Sequence, residues 1–132
     1  MPAQAFASSV PEYAVGDTAP PLRSLLCDGA GDPIDLSGCT VVFNLAFASY
    51  SYYYAPMQRQ LDGKSATPDA DQTETGNRGY VDVVFDPTDL SLAGTFRFNY
   101  EVTYPNGTRQ TISPAVTNTF IVRAPAGGMQ YA

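Results

Sequence analysis

Residues 95–104 alternate without a break, Phe96, Phe98, Tyr100, Val102 and Tyr104 standing against Thr95, Arg97, Asn99, Glu101 and Thr103. Successive side chains of a strand point to opposite faces, so this run predicts one face in a core and the other in water. Pro105-Asn106-Gly107 follows. Its Asn-Gly pair tolerates the positive φ of a tight turn, and residues 108–112 return as the second strand of a hairpin. The same period recurs at 40–47, with Val41, Phe43, Leu45 and Phe47 inward and Asn44 and Ala46 outward. It recurs again at 80–86 through Val81, Val83 and Phe85, and at 119–123 around Phe120 and Val122. Residues 22–28 form an earlier strand, reached through Gly16-Asp17-Thr18 and Pro20-Pro21. Nothing comparable reads as a helix, beyond a short helical turn expected at 86–90 with Leu90 or Leu92 closing the bottom of the core. Short strands at even spacing predict an all-β antiparallel sandwich.

The flanks and two internal stretches lack this period. Residues 1–12 are small and proline-bearing and predict an extended N-terminal arm, 13–123 the sandwich, and 124–132 a C-terminal tail containing Pro125 and Gly127-Gly128. Residues 28–38 are turn-rich. Residues 62–79 hold Gly63, Pro68, Gly76 and several acids with almost nothing apolar, and predict a long exposed loop.

With 132 residues, 44% of them hydrophobic, the chain fits one domain that buries about two thirds of its unfolded surface. A formal charge of -6, with seven scattered basic residues, argues against nucleic acid as a partner, because such proteins gather Lys and Arg on one face. No stretch approaches the roughly 20 apolar residues that span a bilayer, and residues 1–11 lack the pattern of a secretion signal, so a cytoplasmic site of synthesis and no membrane partner are expected. Cys27 and Cys39 read as free, packed thiols, with a bridge left open by their position on either side of a turn. There is no histidine, which removes the commonest general base and transition-metal ligand.

Candidate chemistry is sparse. Tyr50, Tyr52, Tyr53 and Tyr54 follow the strand at 40–47. In continued register, Tyr50, Tyr52 and Tyr54 would line the outer face as a subunit contact or a sugar-stacking platform; a strand that turns after Ser49 would instead bury the rings. Asp69, Asp71 and Glu74 resemble calcium ligands in type, but Gly76 falls at the eighth place of that run and no distant bidentate Glu follows, so a solvated loop is expected and no metal or other cofactor. Asp28, Asp32 and Asp35 are expected to bond their own backbone. Asp82 with Asp86 or Glu101 could supply an acid and a base, yet Asp82 and Glu101 occupy outward positions of regular strands, and no enzymatic activity is expected.

The order of these signals resembles the N-terminal-domain family of phage baseplate upper proteins. The residues that carry the likeness are Gly16-Asp17-Thr18, Leu26 with Asp28 and Gly31, Pro33-Ile34-Asp35-Leu36-Ser37-Gly38 before Thr40-Val41-Val42-Phe43, and Gly79-Tyr80-Val81. The likeness continues in Leu92-Ala93-Gly94-Thr95-Phe96, Glu101-Val102-Thr103-Tyr104 before Asn106-Gly107, and Phe120-Ile121-Val122. It implies an immunoglobulin-like β-sandwich and a structural role in a tailed-phage virion. In immunoglobulin-like domains a Tyr near the start of the long strand bonds back to the corner; Phe96 stands there, so packing must hold that corner. The family module often heads a longer chain, whereas nine residues follow the last expected strand here, which implies a stand-alone adaptor. The expected function is binding of neighbouring virion proteins in the tail, baseplate or neck, many copies in a symmetric assembly. The contacts would be Phe6 and Val10 of the first arm, Tyr50, Tyr52, Tyr53 and Tyr54, and Met129 and Tyr131 of the tail. Capsid decoration and carbohydrate binding are the alternatives.

Overall fold

The computed structural model describes residues 4–6, 10–47, 59–114 and 119–124. These residues form strands and turns with no helix: β1 (Gln4–Phe6), β2 (Glu12–Ala14), β3 (Leu22–Cys27), β4 (Thr40–Phe47), β5 (Arg59–Pro68), β6 (Tyr80–Val83), β7 (Gly94–Thr103), β8 (Arg109–Pro114) and β9 (Thr119–Arg123). The fold is all-β, as the alternating pattern implies. Hydrogen bonding runs continuously in the order β2-β9-β7-β4-β5-β6-β3-β1-β8, and β8 also pairs with β7, so the sheet curls back onto itself.

β7 organises the molecule. Residues Phe96 to Thr103 pair with β4, Tyr100 to Thr103 also with β8, and Gly94 to Arg97 with β9. Four of the five inward residues predicted from its alternation, Phe96, Phe98, Tyr100 and Val102, are buried in the core, and Tyr104, just past the end of the strand, is half-buried against it. Phe43 lies among Phe85, Phe98, Tyr100 and Phe120, with ring centroids 5.5–6.0 Å from its own, edge-on to Phe85 as aromatic quadrupoles favour and tilted against the other three. Leu26, Leu36, Val81, Val83, Leu90 and Ile112 fill the space between.

Three expectations change. Residues 62–79 are not one loop, because β5 occupies Arg59–Pro68 and pairs with β4 across a register shift between Phe43 and Leu45. Leu61 and Ala66 point into the core, but an extra residue at the bulge and Gly63 at φ 83° break the period that would reveal the strand. Asn44, expected to face water, is buried at this bulge: its Oδ1 accepts the Gly63 N–H at 2.8 Å, and its Nδ2 donates to Asn99 and Glu101. The expected helical turn at 86–90 is a non-helical turn, in which Leu90 is fully buried and Leu92 is exposed.

The expected boundary between arm and sandwich falls inside strand structure. β1 pairs antiparallel with β3 and parallel with β8, and β2 pairs parallel with β9. Three-residue strands are too short to show a period, so this part of the sheet is invisible to pattern reading. Tyr13 is buried in the core, stacked on Phe120 at 5.4 Å, and its hydroxyl donates to the Pro20 carbonyl at 2.7 Å. Phe96, without a hydroxyl, is held by packing against Phe47 at 4.6 Å.

Candidate interaction surface

The strand registers sort the connections to two ends of the sheet. At one end, residues 28–38, 69–79 and 104–108 come together: Gly79 packs on Leu26 and Pro33, Gly38 faces Pro105, and Gln72 reaches Leu36. Polar side chains lock these turns from within. Asp35, Asp71 and Asn106 each use Oδ1 to accept both the N–H and the hydroxyl of the Ser or Thr two residues on, the local bonding that such spacing favours. These bonds hold the Asp35 and Asp71 carboxyls below the usual carboxylate range. Asp28 accepts from Ala30 and Asp32. Gln72, buried at 3% exposure, accepts the N–H groups of Leu36 and Gly79 and donates to Asp69 and Asn77.

At the other end stand Leu22 opposite Val83, Ala46 opposite Arg59, Phe47 opposite Phe96, and Gly94 opposite Val122. Residues 15–21 and 84–93 close it: Gly16 N–H donates to the Leu90 carbonyl and Val15 N–H to that of Arg123. Lys64, inward on β5, reaches over to Asp89 at 2.7 Å and Asp86 at 3.4 Å; the Asp89 contact is the main cause of its raised pKa. Two of the largest exposed apolar side chains among the described residues flank this same connection, Val84 at 61% and Leu92 at 51% exposure.

Of the residues expected to make contacts, Val10 is 41% exposed and precedes Pro11, whose carbonyl accepts from Ile121. Phe6 stands opposite Leu25 in β1, its side chain outside the described residues. Tyr50, Tyr52, Tyr53, Tyr54, Met129 and Tyr131 also lie outside the described residues. Their attachment points do not: the tyrosine-bearing connection runs between Phe47 and Arg59, and the tail follows Arg123, all at the end that carries Val84 and Leu92. Pattern reading missed Val84, which continues the run of β6 after its last pairing; its apolar neighbours concealed it.

Four of the carboxylates considered for chemistry have side-chain partners. Asp69 and Asp82 pair with Arg23 at 2.6 and 3.0 Å, and the guanidinium lies 4.4 Å above the Tyr80 ring. The Arg23 hydrogen bond pulls the Asp69 pKa down. Asp86 accepts from Thr88, and Glu101 from Asn44. Cys27 and Cys39 are free thiols, both pushed upward in pKa chiefly by burial. The chain matches no protein-family model, no curated protein and no solved structure.

Proposed function

We propose that this protein is a non-enzymatic structural component of a tailed-phage virion, an immunoglobulin-like adaptor in the tail, baseplate or neck that binds neighbouring subunits. The observation that carries the binding role is the gathering of exposed Val84 and Leu92 at the end of the sheet from which the tyrosine-bearing connection and the C-terminal segment depart. Exposed apolar groups beside aromatic-rich sequence are the composition of a protein contact. The pairing of Asp69 and Asp82 with Arg23, of Asp86 with Thr88 and of Glu101 with Asn44 agrees with a binding rather than a hydrolytic role. The immunoglobulin-like reading draws support from the β7 hairpin with β8, the antiparallel pairing of β9 with the first part of β7, and the parallel pairing of β2 with β9. The virion itself comes from the family resemblance.

Quantitative mass spectrometry of purified particles of the source phage tests this, with the major capsid protein as copy-number reference. Low copy number places the chain in a baseplate, neck or fibre junction, and high copy number in the shell or a repeating tail element. Absence from particles overturns the reading.

A further inference from the structure

β1 occupies a slot between two strands that are far apart in sequence. Gln4, Ala5 and Phe6 stand opposite Cys27, Leu26 and Leu25 of β3, while Gln4 and Ala5 stand beside Ser113 and Pro114 of β8. Three residues thus close the curl of the sheet on this side, and without them β3 and β8 would each present a bare edge.

Among the described residues, the slot holds its own strand through few bonds. Leu26 has committed its N–H to the Gly79 carbonyl at 2.8 Å and its carbonyl to the Ile34 N–H at 2.9 Å. Backbone groups alternate in direction along an antiparallel strand, so β3 offers β1 only those of Leu25 and Cys27. On the other side Pro114 has no N–H to give. A short ladder of this kind does little more than offset the entropy of ordering the three residues that form it. From Pro11 onward the chain is fixed firmly: Pro11 accepts from Ile121, β2 pairs with β9, and Tyr13 is in the core. β1 can therefore leave its slot while the fold from Pro11 onward keeps these anchors.

We infer that the β3–β8 slot is a strand-exchange site whose partner is the N-terminal segment of a second copy of this chain. Residues 4–6 of a neighbour meet the same backbone groups in the same register, antiparallel to β3 and parallel to β8, so exchange needs no new complementary surface. It links copies head to tail or in reciprocal pairs, and it rests on the assembly role proposed above by naming what one of the contacts is.

The test places cysteines at Gln4 and Ser113, parallel neighbours whose spacing of about 4.8 Å suits a disulfide, in full-length chains carrying Cys27→Ala and Cys39→Ala. One chain with both Gln4→Cys and Ser113→Cys should oxidise to an internal disulfide; failure to do so removes β1 from the slot and overturns the proposal. An equimolar mixture of single Gln4→Cys and single Ser113→Cys chains, held at high concentration and then oxidised, should give a covalent dimer at twice the chain mass. Pairing Gln4→Cys with Thr111→Cys, off register, should not. A mixture that stays monomeric, or that dimerises equally with the off-register partner, overturns the exchange. Particle mass spectrometry reads the assembly role independently, so a phage component without exchange and an exchanging chain absent from virions are separate results.

Discussion

The two ends of the curled sheet are built by different physics. At the end formed by residues 28–38, 69–79 and 104–108, the turns satisfy themselves: Asp28, Asp35, Asp71 and Asn106 accept local N–H and hydroxyl groups, and buried Gln72 ties two turns together. The opposite end has one turn of the same kind, Asp86 accepting from Thr88, but it is closed chiefly by side chains that reach across space, Leu90 into the core, Lys64 to Asp89, and Tyr13 to Pro20. It leaves Val84 and Leu92 in water. A self-satisfied end has little to gain from a neighbour, whereas an end that exposes apolar area gains by covering it. The contrast teaches where to look for a contact.

The contrast is broken most severely at its closure. Leu90→Ala should cost about 3–5 kcal/mol of unfolding free energy, because the side chain is fully buried and the cavity cannot refill; equilibrium urea unfolding measures it. At the polar end, Gln72→Ala should cost about 2–4 kcal/mol by leaving the Leu36 and Gly79 N–H groups without their acceptor. Should Gln72→Ala prove neutral in the same titration, the locked-turn description of that end fails.

A smaller effect comes from Tyr13. Burial, then the nearby Asp17 charge, pushes its hydroxyl up to about 12, above the value of about 10 in an unfolded chain. The unfolded state therefore ionises first. The stabilisation is intact below pH about 10 and lost as pH rises through the folded value, by on the order of 2 kcal/mol. Denaturant midpoints from pH 9 upward, compared with Tyr13→Phe, should show a shallower alkaline decline in the variant. The smallest effect on folding belongs to the exposed pair: Val84→Ser with Leu92→Ser should shift stability by no more than about 0.5 kcal/mol while sharply reducing incorporation into particles. Normal incorporation of the double variant would separate this end from assembly.

Legibility followed length and regularity. β7 and β4 could be read because eight to ten residues repeat a two-residue period over a half-buried sheet. β5 could not, although it is as long as β7, because the bulge at Gly63 offsets Leu61 from Ala66 and an inward Lys64 finds its partners only in another connection. Of the contact site, the tyrosines and the tail were visible as composition. Val84 was not, since a valine following β6 looks like more strand.

By itself, then, the amino-acid sequence determined the all-β class, the inward faces of β4 and β7 and the Asp-x-Ser/Thr and Asn-Gly-Thr turns, because each depends on groups within a few residues of one another. Tertiary structure decided the rest. Whether β1 and β2 join the sheet, which connections share an end, that Asn44 and Gln72 are buried, and that Leu90 rather than Leu92 seals the core all depend on partners tens of residues away, whose approach is set by packing of the whole curl.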